Sequence, residues 1–204
     1  MYSQEVCPFW SEYQKYWDRR YQLFSKFNDG IQLDIEALFS VTPEKTALEH
    51  AEILKDKIVL DAFGCVSGNS IAFAQFCKSV YMIEINKDRL EMAKNNATIY
   101  GVKDKIIFIH WDYFEKARGI EADVVYLDPP RGGPSYSNME KFGLHNFSPD
   151  WNKVLDLAFD KFPQVMIRLP KNFDLDQLQR RQRDFDLIED YVDSKLMTRT
   201  AYFK

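Results

Sequence analysis

Cysteine is scarce in this 204-residue chain, which holds three (Cys7, Cys65 and Cys77) and no Cys-x-x-Cys pair. An odd, unpaired set argues against a disulfide framework, and with His50, His110 and His145 scattered along the chain it supplies no zinc-ligand spacing either. Long apolar runs are missing: nothing approaches the roughly 18 residues of a membrane helix, so no membrane span is expected. Met1 to Trp10 lack the basic stretch and apolar core of a secretory signal, which predicts an intracellular protein, nuclear or cytoplasmic. An excess of positive charge is absent too. Twenty-seven Lys and Arg against 31 Asp and Glu leave a net charge of −4, which excludes a generally basic nucleic-acid binder but not a local basic patch. What is abundant is aromatic, at 15%, and aromatics fill cores first and stack on bases second.

The length fits one domain of ordinary size, and no repeat, low-complexity tract or Pro/Gly/Ser linker divides it. Trp10, Tyr13, Trp17, Tyr21 and Phe24 recur at steps of three and four, which predicts an aromatic-faced helix over residues 10–27 with Arg19, Arg20 and Lys26 behind it. Thr42-Pro43-Glu44 supplies a cap and a proline for the first position of a helix running to about Leu54. From Lys57 the pattern changes to short apolar runs, 58–60, 79–85, 105–109, 122–127 and 164–169, which read as buried parallel strands. A helix over 87–100, closed by Gly101, lies between the second and third. Residues 185–191 and 195–203 form a closing antiparallel hairpin. The expected fold is a doubly wound α/β, mostly parallel seven-stranded sheet, with residues 1–50 as a small N-terminal helical extension and 51–204 as the main domain.

In such a sheet ligands sit beyond the carboxyl ends of the strands, so the residues there should carry the chemistry. The first strand ends in Asp61 and a turn, Ala62-Phe63-Gly64-Cys65-Val66-Ser67-Gly68-Asn69. Glu84 ends the second, placed like the acid that receives two ribose hydroxyls in nucleotide-binding α/β folds. Alone, each acid is an ordinary solvated strand end; together they point to a nucleoside. The third strand ends in His110-Trp111-Asp112-Tyr113, a carboxylate for an adenine amino group beside an aromatic ring. The fourth ends in Asp128-Pro129-Pro130-Arg131-Gly132-Gly133-Pro134. Two prolines in succession fix an extended backbone and remove two amide donors, which leaves a rigid array of acceptors beyond the sheet.

Acids at four successive strand ends, the last followed by Pro-Pro, resemble the class I S-adenosylmethionine-dependent methyltransferases that act on exocyclic amines. Lys15 to Ser25, Asp29-Gly30-Ile31, Phe39-Ser40-Val41-Thr42-Pro43-Glu44, Asn95-Asn96-Ala97, Leu169-Pro170-Lys171-Asn172 and Thr200 to Phe203 narrow the likeness to the trimethylguanosine synthases. That resemblance covers roughly residues 13–203. It implies methylation of the 2-amino group of the 7-methylguanosine cap of small nuclear and nucleolar RNAs, in the nucleus or cytoplasm, by a monomeric catalytic domain that works alone or within a protein complex. It implies S-adenosyl-L-methionine as cofactor, held by Thr42, Asp61, Phe63, Gly68, Asn69, Glu84, Asp112 and Tyr113. Asp128 with Pro129 and Pro130 would orient the amine, and Arg131, Lys171, Asn172, Arg19 and Arg20 would meet the RNA.

Four positions depart from that pattern. Cys65 and Ser67 stand where glycine is expected in the first turn, and Arg131 stands where a tryptophan would stack on the cationic base. Asp128 replaces a serine that also accepts a hydrogen bond. These departures raise an alternative, a family member without methyl transfer, kept as an RNA- or protein-binding module.

Overall fold

The computed structural model describes residues 6–130 and 139–204. Seven strands form one sheet in the order β3-β2-β1-β4-β5-β7-β6: β1 (Ile58–Asp61), β2 (Ser79–Glu84), β3 (Ile106–His110), β4 (Val124–Leu127), β5 (Gln164–Pro170), β6 (Asp186–Val192) and β7 (Lys195–Phe203). The first five run parallel, and β7 pairs antiparallel with both β5 and β6.

Successive strand residues point to opposite faces, so each central strand feeds two cores. Val59, Met82, Val124 and Tyr126 join one cluster, beneath α4 (Glu44–Ile53), α5 (Gly68–Phe76) and α6 (Lys87–Ile99). Leu60, Ile83, Val125 and Leu127 join the other, beneath α7 (Tyr113–Lys116) and α8 (Trp151–Lys161). Helix α6 begins where the Asn86 side chain accepts from the amides of Asp88 and Arg89, at 2.9 and 3.2 Å. Just past its end Gly101 takes φ +71°.

The N-terminal segment differs from the single helix its aromatic spacing predicts. It is broken into α1 (Gln14–Trp17) and α2 (Arg20–Leu23), each a single turn, before α3 (Ile35–Ser40). The cause is Arg20. Its guanidinium donates to the Trp17 carbonyl at 2.9 Å and lies over the Trp17 and Tyr21 rings, 4.9 and 4.4 Å from their centres. Turns this short are not stable alone; burial of Trp17, Phe24 and Phe27 in the core cluster they share with α3, α4, α5 and α6 holds them. At α4 the cap is also shifted. Pro43, not Thr42, is the flanking residue, which leaves the Thr42 hydroxyl available elsewhere.

Candidate active site

The ends of β1 to β4 open on one cavity of about 320 Å³. Phe39, Val41 and Thr42 from the N-terminal segment, the turn after β1, Glu84, Trp111 to Phe114, and Asp128 to Pro130 line it. The turn runs tightly under the cavity: a Cβ on Gly64 would come within 2.3–2.9 Å of the Met82 side chain. Cys65 and Ser67, the two residues standing in for glycine, both take left-handed backbone, at φ +49° and +77°. Such conformations cost a side-chain-bearing residue about 1 kcal/mol or more each. The turn is nonetheless used, because the Cys65 amide donates to Glu84 Oε2 at 2.8 Å.

Glu84 is nearly buried, and its other oxygen accepts from the Asn86 amide at 2.7 Å. Burial raises its pKa, and these two backbone bonds only partly offset that. Asp61 lies deeper. It pairs in register with Met82 and Tyr126, two positions short of Glu84 and Asp128, so it sits roughly 7 Å further down the sheet. It is fully buried and does not line the cavity. Ser70 donates to Asp61 Oδ2 at 2.6 Å, while Oδ1 has no hydrogen-bond partner of good geometry among the described residues. Burial pushes the Asp61 pKa from 3.8 up to about 7, and nearby Asp128 and Glu84 add to the rise. Asp112 caps α7 by accepting from the Phe114 amide at 2.8 Å. Tyr113 is buried with its ring 5.4 Å from that of Phe63, and the half-exposed Trp111 donates to Glu115 at 2.7 Å.

Asp128 is held by side chains from three distant segments. Thr42 Oγ1 donates to Oδ2 at 2.8 Å, Asn69 Nδ2 to the same oxygen at 3.2 Å, and Arg168 Nη1 to Oδ2 and Oδ1 at 3.0 and 3.3 Å. Thus Thr42, Phe63, Gly68, Asn69, Glu84, Asp112, Tyr113, Asp128, Pro129 and Pro130 share one cavity wall.

Of the residues expected to meet RNA, Lys171, Asn172, Arg19 and Arg20 do not join this wall. Lys171 is exposed just past β5, and Asn172 donates to the Met139 carbonyl at 2.7 Å. Arg19 donates to Gln22 at 3.0 Å, and Arg20 is buried in its aromatic cage. Arg131 lies outside the described residues. Two cations near the site are not picked out by the sequence patterns above. Arg89 lines the cavity and pairs with Asp34 at 2.6 Å and Glu36 at 2.5 Å. Arg168 stands inside the apolar run of β5, and a charge within such a run was the available clue.

The family model described as RNA cap guanine-N2 methyltransferase matches residues 56–203. The chain belongs to this family. Among curated relatives it is 37% identical over 176 residues to the trimethylguanosine synthase of Schizosaccharomyces pombe, covering 81% of this chain and 73% of that protein. It is 34% identical to the trimethylguanosine synthase of Saccharomyces cerevisiae, covering 83% of this chain and 58% of that one. The fold matches a putative methyltransferase from Porphyromonas gingivalis at TM-score 0.69 and 14% identity, over 97% of this chain and 52% of that chain. It also matches an RNA methyltransferase from Salinibacter ruber, solved with S-adenosyl-L-homocysteine, at TM-score 0.54 and 20% identity, over 79% and 90% of the two chains.

As a member of the family the protein is an S-adenosylmethionine-dependent methyltransferase with a class I, Rossmann-like sheet. Neither the family model nor the curated relatives support the alternative of a chain without that chemistry. The donor set fits the cofactor. Two acids with no ion-pair partner among the described residues, Glu84 in the wall and Asp61 beneath it, suit a ligand that carries positive charge. Buried oxygens of Asp61, Ser67 and Asn69, without hydrogen-bond partners among the described residues, lie at the end of β1, in the turn after it and at the start of α5.

Proposed function

We propose that the protein methylates the exocyclic 2-amino group of a 7-methylguanosine RNA cap, in keeping with a family described as acting on N2 of the cap guanine. The observation that carries this is the rigid Asp128-Pro129-Pro130 segment, which opens on the same cavity as Glu84 and Asp112. S-adenosylmethionine, when bound, supplies an electrophilic methyl group. Glu84 would accept from the ribose, Asp112 from the adenine amino group with Tyr113 and Phe63 beside it, and Gly68 and Asn69 would border the methionine portion. Thr42 and Asp61 act from behind, one by fixing Asp128 and the other by adding negative charge under the turn.

The amine nitrogen of guanine is a weak nucleophile because its lone pair is conjugated with the ring. Asp128 and the proline carbonyls, accepting from its two N–H groups, orient it so that the lone pair faces the donor. The proton released after transfer goes to solvent. Most of the rate then comes from proximity and alignment rather than from proton transfer. Arg131, Lys171, Asn172 and Arg19 are assigned to the RNA. Lys171, Asn172 and Arg19 lie outside the cavity, so their contact would be with the chain beyond the cap, while the buried Arg20 supports the N-terminal segment from within rather than meeting RNA itself. Residues 1–50 act as an N-terminal extension to the catalytic domain of 51–204. Small nuclear and nucleolar RNAs are the proposed substrates, and the nucleus the proposed compartment, with a protein complex as a further partner.

The test is transfer of a labelled methyl group to RNA carrying a 7-methylguanosine cap, followed by digestion and chromatography. A cap nucleoside newly methylated at N2 is expected. Label only at internal residues, or none, overturns the reading.

A further inference from the structure

A charged residue in the middle of an apolar strand requires an explanation. Arg168 follows Met166 on the same face of β5, is 4% exposed, and places one nitrogen against both oxygens of Asp128. Its Nε donates to Thr198 Oγ1 at 3.3 Å. Thr198 and Thr200, on β7, donate to Asp190 Oδ2 on β6, at 2.7 and 3.0 Å. Asp190 Oδ1 meets His50 Nε2 of α4 at 2.9 Å, and His50 Nδ1 meets the Tyr126 hydroxyl at 3.0 Å. Tyr126 is two residues before Asp128 on β4, so the chain of contacts returns to its start. Asp190, Thr198, Thr200, His50 and Tyr126 are all 3% exposed or less.

Such a ring is an unusual way to fill a core. A buried ion pair contributes little net stability, and apolar residues of the same volume commonly do as well or better. What the ring does provide is a fixed anion at one point of the cavity wall. Burial disfavours the charged form of Arg168, but attraction to Asp128 more than offsets it, so the guanidinium stays protonated. Burial likewise disfavours the Asp190 anion, and the hydrogen bond and charge of His50, with the Thr198 hydroxyl, more than offset that.

We propose that Arg168 is a positioning residue for methyl transfer, holding the Asp128 carboxylate in its amine-orienting pose while the β6–β7 hairpin holds Arg168. The inference rests on the reading of Asp128 given above. It makes the hairpin, remote in sequence from the strand-end acids, part of the catalytic apparatus.

The experiment compares Arg168→Met, Arg168→Lys, Asp128→Ser and the Asp128→Ser/Arg168→Met double variant in methyl transfer to capped RNA and in melting. Arg168→Met should lower kcat at least tenfold with the KM for S-adenosylmethionine within threefold, and move the acid limb of the pH–kcat profile toward neutrality by a unit or more. It should also lower the Tm by about 10 °C, because the buried Asp128 carboxylate loses the charge and two hydrogen bonds of Arg168. Arg168→Lys should recover most of kcat. The double variant should melt within about 3 °C of wild type, since neither charge is then left unpaired. Wild-type kcat and pH profile in Arg168→Met, or a double variant no more stable than the weaker single one, overturns the proposal. If the wild-type protein transfers nothing to capped RNA, the assigned reaction falls, and with it this role for Arg168. The coupling of the two residues in melting still separates that outcome from an error in the pairing itself.

Discussion

The two halves of the cavity wall hold their carboxylates by different means. On the β1–β2 side, Glu84 takes its hydrogen bonds from the amides of Cys65 and Asn86, and Asp61 takes one from Ser70. These partners belong to the turns and the helix that follow β1 and β2, and no cation among the described residues forms an ion pair with either acid. On the β4 side, Asp128 depends on Thr42, Asn69 and Arg168, up to 86 residues away in sequence. The first half therefore offers Glu84 with no direct ion pair among the described residues, which suits a cationic cofactor. The second half is neutralised by the protein's own arginine, which suits a site that must orient an amine. Burial raises the pKa of both acids in the first half, and the charge of Arg89 offsets only part of the rise at Glu84.

The largest effect that would break this contrast lies at Asp61. An acid whose folded pKa is about 7 against an ordinary 3.8 binds more protons folded than unfolded between those values. It therefore costs stability as the pH rises from about 4 to about 7, by up to about 4 kcal/mol, and the loss is complete above that. Asp61→Asn, which keeps an oxygen for Ser70, should flatten the Tm against pH across this window and raise it at pH 8. A pH–Tm profile unchanged by the substitution would mean that Asp61 has a cation after all.

Glu84→Ala comes next. It removes a ribose acceptor and strands the Cys65 amide, so affinity for S-adenosylhomocysteine should fall by about 2 kcal/mol, some 30-fold, in calorimetry. Thr42→Val should separate the halves. It deletes one of the donors to Asp128, so kcat should drop roughly fivefold, about 1 kcal/mol, while cofactor affinity moves less than twofold. Equal losses in both quantities would show that Thr42 serves the cofactor directly.

How far each half could be read in the sequence follows from the same contrast. The apolar runs located all five parallel strands within a few residues, and the acids at their ends stood out because alternation of strands and helices puts them on one edge. Glu84 was legible as an acid at the right distance from Asp61. The depth of Asp61 was not, because it depends on strand register rather than on spacing. Nor was the ring behind Asp128, whose members lie 40 residues apart for Asp128 and Arg168 and 140 for His50 and Asp190. The aromatic period of residues 10–27 misled about continuity, because the stacking of Arg20 on Trp17 and Tyr21 outweighs the intrinsic preference of the segment for a helix.

The smallest expected effect concerns the price of the first turn. Ser67 has φ +77°, and its buried hydroxyl oxygen has no partner, so both backbone and side chain are unfavourable there. Glycine removes both penalties and adds back some entropy to the unfolded chain, leaving a net gain of about 0.5–1 kcal/mol. Ser67→Gly should therefore raise the Tm by roughly 1–4 °C. Gly101 provides the mirror case: at φ +71°, with nothing within 4 Å of an added Cβ, Gly101→Ala introduces backbone strain and no clash. It should lower the Tm by a similar amount. If Gly101→Ala behaves so but Ser67→Gly is neutral or destabilising, the Ser67 hydroxyl has a partner in solution. The first turn would then be a polar contact point rather than a strained substitute for glycine.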